Sequence, residues 1–254
     1  MREPLASALC IHGAGGGGWE WNVWRGVFEA AGVAMRTPDL MPSKPLGQTR
    51  LVDYVEQMRS MLDGMPRPRA VVGASLGGLI GMQVADAADA LVLVNPMPPS
   101  PWHRHLPWRD AQQEGQLPGD VPDQPGGPES VVPWGRNARL ASTRRAMPDA
   151  DAASVAYASA RWRDESTAVL RDAGAGIEVE QPDCRVLCIA SEVDEDIPVS
   201  LTQSLATAWR ARLLITPSTS HVGPLLGRSA ASTAQAALDW LLEHQPAMLE
   251  CEPD

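Results

Sequence analysis

Five short apolar runs punctuate the chain: SALCI (7–11), AVVGA (70–74), ALVLVN (90–95), RVLCIA (185–190) and ARLLIT (211–216). Each is strand-length, rich in branched residues and free of polar alternation, the pattern of a buried parallel strand covered on both faces. Between them the apolar positions switch to helical spacing, over about 22–31, 49–62, 76–87, 199–209 and 229–243, with a weaker strand signal at 33–38. Alternation of this kind predicts an α/β fold built on a doubly wound, mostly parallel sheet. With 254 residues, 44% of them hydrophobic, the chain can bury one large core without staples, and one α/β domain is expected. No internal repeat interrupts the pattern.

The rhythm breaks once. From Pro96 to about Pro182 no strand of the same kind occurs; the segment opens with PMPPSPWHRHLPW, runs through LPGDVPDQPGGPESVVPWG, and turns helical at DADAASVAYASARW and DESTAVLRDAG. A structureless loop of that length is not expected inside a compact domain, so 96–182 reads as a partly helical cap lying over the sheet, with 1–95 and 183–254 as the core. Four of the nine tryptophans, Trp102, Trp108, Trp134 and Trp162, fall in this cap, in a chain with one phenylalanine and two tyrosines. They can line an apolar pocket or staple the cap to the core, and the sequence does not separate the two. Trp19, Trp21 and Trp24, at the first helix, read as packing.

Charge narrows the partners. A formal charge of −10 and a single lysine, Lys44, argue against a nucleic-acid polyanion. No run approaches the roughly 18 apolar residues of a membrane span. The apolar stretch in MREPLASALCIHG is too short for a signal peptide, and a cytoplasmic protein is expected. The four cysteines, Cys10, Cys184, Cys188 and Cys251, lack both C-x-x-C spacing and the density of a disulfide framework, so reduced and mostly buried thiols are expected. His103 and His105 lack a third ligand pattern and read as surface residues, as does His244; neither metal nor cofactor is expected.

The chemistry concentrates in the stretch AVVGASLGGLIGMQVAD. Gly73, Ser75 and Gly77 form G-x-S-x-G between a strand and a helix, the setting of a nucleophile elbow, where glycines flank the serine because side chains would clash. A glycine-rich turn without chemistry would look similar, so the motif needs partners. A serine hydroxyl needs a base, and the base needs a carboxylate to hold its tautomer. His221, in TPSTSHVGPLL, follows the last strand and precedes the last helix, at the sheet edge where such folds bind ligands. The carboxylate candidates are Glu192, Asp194, Glu195 and Asp196, in the loop after RVLCIA. A fourth element is CIHGAGGGGWEW, whose glycine loop fits neither the P-loop nor the dinucleotide pattern. Its other use is an oxyanion hole, with donors Ala14 N–H and, after the nucleophile, Leu76 N–H.

With Ser75, an acid and His221 in that order, the sequence resembles the α/β-hydrolase superfamily over nearly its whole length. HGAGGGGWEWNVW, beginning at His12 and followed by TPDL, is similar to the compact esterase group that includes plant methylesterases and hydroxynitrile lyases. The resemblance implies a sheet without the usual leading hairpin and a cap after the strand ending at Asn95. It also implies that the triad acid is the fourth residue of SEVDEDIP, Asp194, with Asp196 the alternative. The chain departs from the group at Ala74, where His is frequent, and at Ser220, where Gly or Asp is usual; neither change removes a catalytic atom. Gly13 and Val222 stand where the plant lyases carry threonine and lysine, which argues against lyase chemistry. The expected function is a serine hydrolase cleaving a carboxylic ester of a small or medium apolar molecule, with Gly13, Met97 and the four cap tryptophans contacting substrate. A lyase, cyclase or acyltransferase on the same scaffold, or a ligand-binding receptor retaining the triad, are the alternatives.

Overall fold

The computed structural model describes residues 4–41, 44–107 and 131–243. The strands are β1 (Ser7–Ile11), β2 (Ala34–Arg36), β3 (Arg69–Ala74), β4 (Ala90–Val94), β5 (Val131–Val132), β6 (Glu165–Ser166), β7 (Arg185–Ser191) and β8 (Arg212–Thr216). The helices among the described residues are α1 (Asn22–Ala30), α2 (Leu51–Asp63), α3 (Leu76–Gln83), α4 (Leu140–Ala146), α5 (Ala152–Ser159), α6 (Thr167–Gly174), α7 (Val199–Ala208), α8 (Gly223–Leu226) and α9 (Ala230–Leu242). Six strands form one sheet in the order β2-β1-β3-β4-β7-β8. Every pairing in it is parallel.

Because side chains alternate across a strand, one sequence feeds two cores. Leu9, Ile11, Val71, Leu91, Leu93 and Cys188 face α2, α3 and α7. Ala8, Cys10, Val72, Val92, Val94 and Ile189 face α1 and α9. Thus α1, after β1, packs on one face, while α3, after β3, packs on the other. The chain therefore reverses its direction of winding between neighbouring strands β1 and β3, which opens a crevice at their carboxyl ends. The glycine loop and Ser75 flank that crevice.

Three expectations change in detail. β8 is not a buried strand: four of its five residues are half-buried or exposed, and Ile215 is 42% exposed, because β8 is the edge of the sheet. The third predicted helix stops at Gln83 and continues as a 3-10 turn, Ala85–Ala87. His103 is not a surface residue but 5% exposed, its ring packed against the backbone of Gly176, whereas His105 is exposed. Its burial comes from packing that the local proline-rich sequence does not announce.

Between β4 and β7 the chain builds the two-residue antiparallel ribbon β5–β6 and helices α4 to α6. Asp151 caps α5 by accepting from Ser154 N at 2.7 Å. Met147, Ala150, Val155 and Ala158 form a small apolar cluster against Trp19, Trp162, Val222 and Leu226. Since Trp19 follows β1 and Val222 follows β8, this cluster, which includes α5, lies over the carboxyl end of the sheet. Val169 and Ala173 of α6 then rejoin the main core.

Candidate active site

Ser75 sits at the turn from β3 into α3 with φ 51° and ψ −120°, a backbone conformation that costs about 1–3 kcal/mol in a non-glycine residue. It is held by its neighbours. Ser75 N donates to Val94 O at 3.0 Å, and Ser75 O accepts from Met97 N and Gly78 N, both at 2.9 Å. The glycines are required by space: a β-carbon on Gly73 would collide with the carbonyl of Gly77, and one on Gly77 with the carbonyl of Ile11. A β-carbon on Gly13 would lie 3.2 Å from Ser75 Cβ and 3.8 Å from its Oγ, so Gly13 keeps the surroundings of the Ser75 hydroxyl open.

His221 Nδ1 lies 2.7 Å from Asp194 Oδ2. The second oxygen, Asp194 Oδ1, accepts from Asp196 N at 2.9 Å and Ile197 N at 2.8 Å, while the Asp196 residue itself is exposed. Of the four acids in this loop, Asp194 is the one aimed at the histidine. Burial disfavours the charged imidazole, but the hydrogen bond and charge of Asp194, helped by Asp196 and Glu20, outweigh it and raise the His221 pKa above its ordinary value.

The glycine loop presents the remaining atoms. Among the described residues, no hydrogen bond uses the N–H of Ala14 or of Leu76. The loop is fixed from several sides. Leu40 N donates to His12 Nε2 at 2.9 Å, which assigns the proton to Nδ1, where it bonds Gly13 O at 2.7 Å. Burial lowers the His12 pKa to about 4, so this ring is a neutral strut rather than a base. From the segment after β4, Arg163 N donates to Gly15 O at 2.7 Å, and the Glu165 carboxylate accepts from Gly15 N, Tyr54 Oη and Ser166 N. Gly15 has φ +68°, and a β-carbon there would lie 2.8 Å from the Trp134 ring.

Three residues escaped the sequence reading. Asn95, φ 43°, donates from Nδ2 to Ser191 Oγ at 2.8 Å and to His221 O at 2.7 Å, tying the end of β4 to the histidine loop. Asn after a strand is too common to single out. Glu20, 4% exposed, lays its carboxyl against Gly16, where a β-carbon would collide with it. Burial raises its pKa to about 8, against the opposing pull of the Gly13 N–H and the charge of His221. The signal was an acid inside WEW, the one charged residue in an otherwise apolar motif. Asp149 contacts Ser220 from the segment after β4.

The proposed substrate contacts divide. The Met97 backbone touches Ser75, as above. Trp162 packs edge-on to Trp19 with ring centroids 5.3 Å apart, and its indole N–H donates to Thr143 Oγ1 at 3.1 Å. Trp102 packs among Leu106, Ile197 and Leu201 and borders a surface hollow of about 470 Å³ with Ser200, Gln203 and Ser204. Trp134 is 41% exposed and covers Gly15. Trp108 lies outside the described residues. Trp21 and Trp24 are fully buried. Burial raises the pKa of Cys10, and that of Cys188 to about 12, so neither thiol is an activated nucleophile. The group of metal-ligand types among the described residues that converges within 4.8 Å is Asp194, Asp196 and His221. Its inner atoms are already bonded to one another and to backbone N–H groups.

A strained serine after the third strand, an acid after the seventh and its histidine after the eighth thus all lie at the carboxyl end of the sheet. The sequence profile of the Alpha/beta hydrolase family matches residues 8–236. The chain belongs to that family. Among solved structures, this hydrolase-family chain is similar to polyneuridine aldehyde esterase, with 17% identity and a TM-score of 0.71 over 92% of this chain and 99% of that one. A methylesterase from Arabidopsis matches with 14% identity and a TM-score of 0.69 over 93% and 99%. Tomato methylketone synthase I complexed with 2-tridecanone matches with 14% identity and a TM-score of 0.68 over 94% and 99%. At these identities the likeness is one of fold. No curated protein sequence matches the chain. Among the described residues no helix is long and apolar enough to cross a membrane.

Proposed function

We propose that the protein is a serine hydrolase that cleaves a carboxylic ester of a small or medium apolar molecule, in the cytoplasm, through an acyl-enzyme. The observation that carries this reading is the 2.7 Å contact between His221 Nδ1 and Asp194 at the carboxyl end of the sheet, the end that also holds the strained Ser75. Asp194 keeps the Nδ1 proton in place, which leaves Nε2 free to take the proton of Ser75 Oγ as that oxygen attacks the ester carbonyl. The developing oxyanion is received by the N–H groups of Ala14 and Leu76. Collapse breaks the ester C–O bond, and the His221 imidazolium returns its proton to the departing alcohol. Water, deprotonated by the same ring, then attacks the acyl-Ser75 ester, and the acid leaves as Ser75 regains its proton. The segment 96–182 acts as the cap that selects the substrate.

The test is a panel of esters, thioesters and lactones assayed on wild type and Ser75→Ala, together with a fluorophosphonate probe. The expected result is a covalent adduct on the Ser75 peptide and loss of hydrolysis in Ser75→Ala. Folded wild type without an adduct overturns the nucleophile assignment. Non-hydrolytic products that persist in Ser75→Ala favour a lyase of the same fold instead.

A further inference from the structure

The loop carrying His221 is gripped from two opposite sides. From the core, Asn95 Nδ2 donates to His221 O at 2.7 Å. From the segment after β4, Asp149 reaches the residue just before the histidine: Ser220 Oγ donates to Asp149 Oδ1 at 2.6 Å, and Ser220 N to Oδ2 at 3.3 Å. The same carboxylate fills the space beside the short helix that follows. A β-carbon on Gly227 would lie 2.7 Å from Asp149 Oδ2, and one on Gly223 would collide with it. The Asp149 backbone carbonyl accepts from Arg228 N at 3.3 Å. One residue of the inserted segment therefore touches both ends of α8 and the residue at which the histidine loop leaves Thr219. Ester cleavage itself makes no use of Asp149.

We propose that Asp149 is a positioning residue that holds the His221 loop from the inserted segment, so that the aim of the catalytic base depends on how that segment is seated. This rests on the reading of Ser75 and His221 as nucleophile and base. Asp194 orients the imidazole ring, Asn95 fixes the backbone carbonyl of His221, and Asp149 fixes the preceding residue through a short bond from the Ser220 hydroxyl to its carboxyl oxygen. Removing the last leaves Ser220 free to move, and displacements near 1 Å at a reacting group cost about a hundredfold in rate. Gly223 and Gly227 follow from the same geometry: the carboxylate occupies the place where their side chains would go.

The experiment compares wild type with Ser220→Ala, Asp149→Ala, Asp149→Asn and the double variant Asp149→Ala/Ser220→Ala. Two readouts are followed: the rate at which a fluorophosphonate labels Ser75, and the low-field NMR resonance of the proton between His221 Nδ1 and Asp194. Each alanine variant is expected to slow labelling about tenfold and to broaden the His221 resonance by exchange with water. The double variant should be no slower than the slower single, because both changes cut the same tether. Asp149→Asn, which keeps one acceptor oxygen for the serine hydroxyl, should recover part of the rate. A residue that only packed would lower the Tm without moving either readout. An unchanged rate and resonance in folded Ser220→Ala, or additive losses in the double variant, overturn the proposal. If Asp149→Ala does not fold, Ser220→Ala decides alone. If wild type is not labelled at Ser75, the hydrolase reading falls, and the His221 resonance still tests the tether.

Discussion

Asp194 and Asp196 are two residues apart in one loop, and their environments separate them. Asp194 is 8% exposed, with one oxygen on His221 and the other on two backbone N–H groups, whereas Asp196 is exposed and offers His221 only its more distant charge. Asp194→Asn is expected to lower kcat by as much as about 10⁴, by favouring the wrong imidazole tautomer and failing to stabilise its cation. Asp196→Asn should cost less than about tenfold, because the charge lost is exposed and screened by solvent. Steady-state kinetics on folded proteins of both variants check this, and reversed losses would make Asp196 the triad acid. Glu20 gives a pH dependence of stability. Its pKa in the fold is raised from 4.5 to about 8, so the fold favours its neutral form. That contribution is complete below about pH 4.5, shrinks as pH rises, and is gone above about pH 8, a swing on the order of a few kcal/mol. Glu20→Gln should therefore flatten the decline of stability between about pH 5 and 9, read from urea midpoints across that range. A slope as steep as that of wild type would assign the decline to other groups.

At the scale of elements, the loops after β1, β3, β7 and β8 are held by residues outside themselves. The glycine loop rests on His12, the residue just after β1, and on Arg163, Glu165 and Trp134 from the inserted segment. The tryptophans of that segment do different work according to what they touch. Trp162, half-buried against Trp19 and bonded to Thr143, joins the inserted segment to the chain after β1. Trp162→Ala should cost about 2 kcal/mol of stability and leave the preference for ester chain length unchanged. Trp134→Ala, at an exposed ring over Gly15, should cost less than about 1 kcal/mol but lower kcat by freeing the glycine loop proposed to receive the oxyanion. Urea denaturation and kcat over a series of ester chain lengths read both outcomes. A changed chain-length ranking in Trp162→Ala would make that ring a pocket wall.

At the scale of the whole molecule, the order β2-β1-β3-β4-β7-β8 is what sets the glycine loop beside Ser75, because β1 and β3 are neighbours whose helices leave to opposite faces. The strands could be read from the sequence because a parallel strand buried on both faces must be apolar along its middle, and β1, β3, β4 and β7 are, with polar residues only at the ends of β1, β3 and β7. The edge strand β8 carries the same kind of apolar run yet is largely half-buried or exposed, since a run does not say which strand lies last. The elbow was legible for a local reason: Gly73 and Gly77 are demanded by clashes within a few residues or with the adjoining strand. What the chain by itself determined is therefore the elements, the serine, its histidine and the acidic loop, all set by local spacing. Only the tertiary structure decided which of four acids faces His221, that His103 is buried, and that Asn95, Glu20 and Asp149 surround the site. Those depend on contacts between residues up to 126 positions apart, where burial and hydrogen bonding are properties of the assembled neighbours and leave no periodic mark on the sequence.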